Sequence, residues 1–217
     1  MYKFISFFPG NEELMMLTLL DHIGVFVFAI SGMLTAADRS LDILGGYIIA
    51  FITALGGGTL RDLLLNVDIA WMESIFQVSM VVAGGTFGIL FRSYLKKLRR
   101  TLFIFDTIGL AIFTIIGVQK GLALEHFGLT VVFLGMISAT FGGLIRDVLC
   151  NEIPLIFRKE VYAIPCLLGG ALYFLGSWLG WGDTGLLIWI SIGIIITLRT
   201  LAVVFSWELP LIRDIKK

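Results

Sequence analysis

Seven apolar runs, each about as long as a helix that crosses a bilayer, leave this chain few ways to fold. They fall near 14–37, 42–66, 75–93, 101–119, 127–150, 161–180 and 185–206. A spanning helix needs roughly 20 apolar residues. Lipid offers no partner to an unpaired backbone amide or carbonyl, so spans are helices or closed barrels. The period-two alternation of a barrel strand is absent, and the expected fold is therefore an all-α membrane protein with seven transmembrane helices. Charges and turn formers fill the breaks: Ala37-Asp38-Arg39, Asp68 to Glu73, Arg92 to Arg100, Lys120 to His126, Glu152 to Glu160 and Gly180-Trp181-Gly182-Asp183. Only 15% of the 217 residues are charged, against about 25% in soluble domains, so membrane lipid is the expected surroundings. No polar stretch is long enough for a separate soluble domain, and 1–217 reads as one transmembrane domain. A formal net charge of zero gives no reason to expect nucleic acid as a partner. The opening MYKFISFFPGNEE reads as no signal peptide, its apolar run being cut by Pro9, Gly10 and two acids.

Basic residues set an expected orientation. With Arg92, Lys96, Lys97, Arg99 and Arg100 placed in the cytoplasm, alternating spans bring Arg39, Arg158, Lys159, Arg213, Lys216 and Lys217 to the same side, eleven of the sixteen Lys and Arg. Lys3 and Lys120 fall outside, and Arg61, Arg146 and Arg199 lie within spans. The positive-inside rule then puts the N-terminus outside and the C-terminus in the cytoplasm, with Trp71, Trp178, Trp181 and Trp207 at the interfaces.

Shifted by 85 positions, the two halves align without a gap. Asp21, Gly24, Phe28 and Gly32 fall on Asp106, Gly109, Phe113 and Gly117. Ala54, Gly57, Gly58, Arg61, Asp62, Leu64 and Asn66 fall on Ala139, Gly142, Gly143, Arg146, Asp147, Leu149 and Asn151, and Gly84-Gly85 falls on Gly169-Gly170. Apolar composition can align leucines, but not an Arg-Asp pair, an Asn and paired glycines in one register. The expected organisation is repeat 1 at 14–98, repeat 2 at 99–182, and a seventh span with a cytoplasmic tail at 183–217. Three spans per copy, an odd number, insert the second copy upside down. Such an inverted 3+3 repeat is characteristic of transport proteins and points to a midplane site between spans 2 and 5.

The chemistry gathers in TALGGGTLRDLLLN (53–66) and SATFGGLIRDVLCN (138–151). Gly56, Gly57 and Gly58 in one run favour a break or kink in span 2, since each costs ~1 kcal/mol relative to alanine. Close helix packing is the competing reading for these glycines, and the leading one for Gly84-Gly85 and Gly169-Gly170. Thr53, Thr59, Ser138 and Thr140 supply hydroxyls nearby. Arg61 and Arg146 within spans need partners, the competing reading being that they snorkel to the headgroups and fix depth. The expected pairs are Arg61–Asp21 and Arg146–Asp106, with Asp62 and Asp147 as rivals disfavoured because adjacent helical residues do not face one another. Arg199, without a repeat counterpart, reads as snorkelling or as a subunit contact. His22 and His126 lack a second ligand at metal spacing and read as interface residues. Cys150 and Cys166 read as small buried hydrophobes, and no metal or cofactor is expected. No hydrolase, metalloprotease, P-loop or dinucleotide motif appears, so the chain does not read as an enzyme.

With GGGTLRD at 56–62, FGGLIRD at 141–147 followed by Asn-Glu-Ile-Pro, and Asp-x-x-Gly at 21–24 and 106–109, the chain resembles the trimeric intracellular cation (TRIC) channel superfamily. The likeness is to its bacterial branch, with a duplicated glycine-transporter-type domain, and runs from about residue 14 to 206. It implies a homotrimer with a pore in each protomer between spans 2 and 5, conducting potassium and, less well, sodium, in a prokaryotic inner membrane. Carried onto this chain, the pore glycines are Gly56, Gly57, Gly58, Gly142 and Gly143. Phe141 stands where the first copy has Gly56, which leaves its effect on the path open. The competing function is a secondary transporter of glycine or a similar small zwitterion, using Arg61 or Arg146 for the carboxylate.

Overall fold

A computed structural model describes residues 11–95, 101–159, 161–181 and 184–210 of the chain. Lys3, Lys96, Lys97, Arg99, Arg100, Glu160, Gly182, Asp183, Arg213, Lys216 and Lys217 lie outside the described residues. Among the described residues, seven long helices follow one another: α1 (Asn11–Asp38), α2 (Ile43–Leu64), α3 (Ile75–Leu90), α4 (Thr101–Ala123), α5 (Leu129–Leu149), α6 (Ile164–Trp178) and α7 (Thr184–Val204). Single turns at Ala70–Glu73, Arg92–Leu95 and Leu155–Phe157 sit between them.

Among the described residues five helices, α1, α2, α4, α5 and α7, are long and apolar enough to cross a membrane. The runs expected to span at 75–93 and 161–180 form shorter helices, α3 of 16 residues and α6 of 15. At 1.5 Å per residue such helices fall short of a ~30 Å hydrocarbon core. Local chemistry limits both: α3 ends in a turn at Phe91, and α6 starts late, with a proline in its first turn.

Helix ends follow the repeat. Asn66 closes α2 at φ +51 and Asn151 closes α5 at φ +55. The next amide bonds back in each case, Val67 N to the Asp62 carbonyl (3.0 Å) and Glu152 N to the Asp147 carbonyl (2.8 Å). Ser40 after α1 and Glu125 after α4 do the same, at φ +57 and +64. Asparagine tolerates the left-handed conformation better than most residues and ends helices in this way. The repeated Asn is therefore a helix stop.

Each repeat packs as a triplet, α1 along α2 and α3, and α4 along α5 and α6. The triplets meet through α2 against α5 and α1 against α4, and α7 lies on α4 and α6. With 72% of its most apolar stretch buried, against 39% for α2 and for α7, α4 is the central helix. At one end of the bundle Arg39 contacts Glu152, Arg158 pairs with Glu152 at 3.2 Å, and Arg92 lies 3.7 Å from Asp38. The basic residues assigned to one side by sequence, Arg39, Arg92 and Arg158, thus cluster together.

Replacing Asn66 by Val puts a β-branched side chain in the left-handed region, at a cost of about 1–2 kcal/mol. Thermal unfolding in detergent should show Asn66→Val melting lower, with Asn66→Gly near wild type.

Candidate functional site

At the crossing of α2 and α5 the two backbones touch. A methyl group added at Gly57 would run into the Ser138 carbonyl, and one at Gly142 into the Thr53 carbonyl. Both contacts map onto each other under the 85-residue shift (57 + 85 = 142 and 53 + 85 = 138). The pattern continues outward. Gly32 lies against Ala50, and Gly117 against Gly135, where a Cβ would meet the Cα atoms at 2.8 Å in both cases. Phe28 stacks on its own counterpart Phe113 with ring centroids 5.3 Å apart.

Neither helix breaks here, contrary to the expectation from Gly56, Gly57 and Gly58. Both α2 and α5 stay helical through their glycines. The glycine cost is offset by the close approach, which only residues without a side chain allow. The hydroxyls are turned to their own helices: Thr53 donates to the Ile49 carbonyl (2.6 Å), Thr59 to Leu55 (2.8 Å) and Thr140 to Met136 (2.9 Å). A Cβ added at Gly56 would lie 3.7 Å from Ile145 and 3.8 Å from Gly142, and Phe141 is half-buried.

Two ion-paired clusters flank the crossing. In the first, Arg61 Nε donates to Asp62 Oδ1 (2.7 Å) and Nη1 to Ser138 Oγ (3.3 Å), while Lys120 Nζ donates to the same Asp62 oxygen (2.8 Å). Asp62 Oδ2 accepts from the Ala70 amide (3.2 Å), and Asp21 accepts from the Gln77 amide group. In the second, Arg146 Nε donates to Asp147 Oδ1 (2.8 Å), and its Nη1 reaches Ser31 Oγ (2.8 Å) and Asp106 Oδ1 (3.3 Å). Asp147 Oδ2 accepts from the Leu155 amide (3.1 Å), and the Tyr162 hydroxyl donates to Asp106 (3.4 Å). Arg199 Nη2 stands 3.6 Å from Asp106 Oδ2. Each cluster holds two carboxylates and two cations, so each is formally neutral.

Several expectations need correction. Arg146 does reach Asp106, but Arg61 pairs with Asp62 rather than Asp21. Adjacent residues sit 100° apart on a helix, yet an arginine is long enough to fold sideways, and in a buried site the nearest carboxylate wins. Arg199 neither snorkels nor faces a neighbour: it is 1% exposed, deep in the second cluster. Lys120 belongs to α4 instead of a loop, because α4 runs on to Ala123. Trp71 turns inward, donating to Thr59 Oγ1 (3.0 Å). Gly84 and Gly169 pack as expected, against α1 and α7. Cys150 and Cys166 are buried and free.

Gln77, Tyr162, Ser31, Lys120 and Arg199 were missed as members of the site. Gln77 and Tyr162 are themselves 85 apart, a signal hidden by their different chemistry. The surroundings of the two clusters also differ. Asp106, Arg146, Asp147 and Arg199 line a cavity of about 490 Å³, closed partly by Trp207 and Glu208. Asp21, Gly58, Thr59, Arg61 and Gln77 line a void of only about 10 Å³, about the space of one water.

A family model described as glycine transporter matches the chain twice, over residues 18–93 and 103–178. The chain belongs to this family. The two matches start and end 85 residues apart (103 − 18 and 178 − 93), in the register of the internal repeat. Curated relatives include a UPF0126 membrane protein of Vibrio cholerae, 34% identical over 90% of this chain and 82% of its own length. The UPF0126 inner membrane protein YadS of Escherichia coli is 40% identical over 71% of this chain and 75% of its own. Among solved structures, the trimeric intracellular cation channel orthologue from Rhodobacter sphaeroides superposes with a TM-score of 0.83 and 29% identity, covering 88% of this chain and 98% of that one. A second TRIC cation channel gives 0.80 and 32%, covering 89% and 96%. This family member is thus a multi-pass bacterial inner-membrane protein with a TRIC-like fold, related to membrane proteins and channels rather than enzymes.

Removing one partner of a buried ion pair leaves an uncompensated charge and costs about 3–5 kcal/mol. Arg146→Gln strands Asp147 and leaves Asp106 only its long contacts to Arg199 and Tyr162, and should lower the melting temperature more than Arg39→Gln at the exposed Glu152 pair, measured by thermal unfolding of the detergent-purified protein.

Proposed function

We propose that the protein is a monovalent cation channel preferring potassium, with a pore in each protomer of a homotrimer between α2 and α5. The observation that carries this reading is the glycine crossing flanked by two formally neutral charge clusters, in a chain that superposes on cation channels along most of its length. In this reading Gly57 and Gly142 let α2 and α5 touch, and the path runs beside that contact, with Gly56, Gly58, Gly143, Thr53, Thr59, Ser138, Thr140 and Phe141 around it. Balanced clusters leave no net charge at depth to trap an ion, as conduction requires binding weak enough to let it leave. Asp21 and Asp106 then offer carboxylate oxygens on either side of the crossing.

In this reading all seven long helices traverse the bilayer, α3 and α6 as short spans, and the second triplet is inverted relative to the first. The N-terminus lies outside and the C-terminus in the cytoplasm, which agrees with the gathering of Arg39, Arg92 and Arg158 at one end of the bundle.

Single-channel recording in planar bilayers under a potassium chloride gradient tests this. Discrete steps reversing near the potassium equilibrium potential are expected. Gly58 borders the small void with nothing nearer its Cβ position than Arg61 Nη2 at 3.7 Å, so Gly58→Leu should fill the path without a backbone clash and abolish the steps. Silent bilayers with saturable glycine uptake into liposomes would overturn the reading in favour of a transporter.

A further inference from the structure

Four members of each cluster occupy corresponding positions, and the second cation does not. Asp21, Arg61, Asp62 and Gln77 answer to Asp106, Arg146, Asp147 and Tyr162 under the 85-residue shift. The second cation does not follow it. Lys120 would answer to Thr35 (120 − 85), whose hydroxyl donates to the Ser31 carbonyl at 2.9 Å and lines the cavity. At Asp106 that cation comes from α7, outside both repeats, as Arg199.

The two cations are held in different ways. Lys120 sits 2.8 Å from Asp62, which lines a void of only about 10 Å³. Arg199 borders the cavity of about 490 Å³, and its bonds are long: 3.6 Å to Asp106 Oδ2 and 3.3 Å to the Val161 carbonyl. Its Nε and Asp106 Oδ2 have no hydrogen-bond partner among the described residues. Its guanidinium lies instead over two aromatic faces, 4.5 Å from the Tyr162 ring centroid and 5.2 Å from that of Phe103. Ring faces attract a cation without fixing its direction. Arg199 is therefore a buried, permanent positive charge beside open space, tied loosely to the carboxylate it neutralises.

We propose that Arg199 controls entry to the permeation path, its charge setting how readily cations enter from the cavity and pass Asp106. The inference rests on the cation-pore reading. With Arg199 in place the cavity floor is neutral, and entry is limited by the access of ions to a balanced site. Without it, Asp106 and Asp147 face the cavity against Arg146 alone, and the net negative charge concentrates cations there. The outer acids of the cavity, Glu152 and Glu208, are paired with Arg158 at 3.2 Å and Lys159 at 3.4 Å, so Arg199 decides the sign at the floor.

The test is the ratio of unitary currents carried by potassium entering from the cavity side and from the opposite side, in symmetrical potassium chloride. Arg199→Gln should raise that ratio about twofold or more at low ionic strength, with the difference fading near 1 M salt, where the Debye length is ~3 Å. The double variant Arg199→Gln with Asp106→Asn restores the balance and should return the ratio to that of wild type. Arg199→His covers the case in which the Gln variant fails to fold. Measured against wild type over the same pH range, which accounts for Asp106, Asp147, Glu152, Glu208 and Tyr162 around it, its ratio should rise as cavity-side pH passes the ordinary histidine value of ~6.5. Conducting wild type with an unchanged ratio in Arg199→Gln, or a pH-independent ratio in Arg199→His, would overturn this inference alone. A silent wild type would overturn the pore reading and the inference with it.

Discussion

The contact of two helix backbones at Gly57 and Gly142 is the constraint from which the rest of the structure follows. Helices of ordinary side chains keep their axes 8–10 Å apart, and a Cβ on either glycine would strike a carbonyl of the other helix. Close approach there brings Arg61 within reach of Ser138, and Arg146 within reach of Ser31. Each arginine crosses from its own repeat to the other, and Lys120 does the same toward Asp62. The charged groups therefore stitch the two triplets together on both sides of the crossing.

Burying six charged side chains in an apolar bundle, with Asp21 and Lys120 half-buried beside them, is costly unless each finds a partner. The partners are supplied locally and by duplication. Asp62 and Asp147 each take an adjacent arginine on one oxygen and a backbone amide eight residues on, from Ala70 or Leu155, on the other. The helix stops at Asn66 and Asn151 turn the chain so that those amides come back to the carboxylates. Helix-end geometry and charge satisfaction are thus one device, used twice. Symmetry is then broken by α7, which brings Arg199 to one cluster and leaves a large cavity there.

Much of this was legible in the sequence. The apolar runs located the helices, and the 85-residue register identified the crossing, both arginines and all four acids. Gly57, Gly142, Arg61 and Arg146 were recognisable because each is out of place in an apolar span and occurs twice. What escaped had specific causes. Glycine runs look alike whether they break a helix or let it touch another, and only the position of the neighbouring carbonyl decides. Gln77 and Tyr162 do one job with unlike side chains, so residue matching passed over them. Arg199 has no counterpart, and burial against Tyr162 and Phe103 is a property of packing that spacing along the chain does not encode. The partner of Arg61 was misassigned because side-chain reach mattered more than helical angle.

Potassium efflux from proteoliposomes with a clamped membrane potential tests most directly whether the crossing is a pore. Efflux should follow the potassium gradient and potential, should not saturate with ion concentration in the manner of a carrier, and should proceed without glycine on either side. Potassium movement that appears only when glycine is present, at a saturating rate, would contradict it.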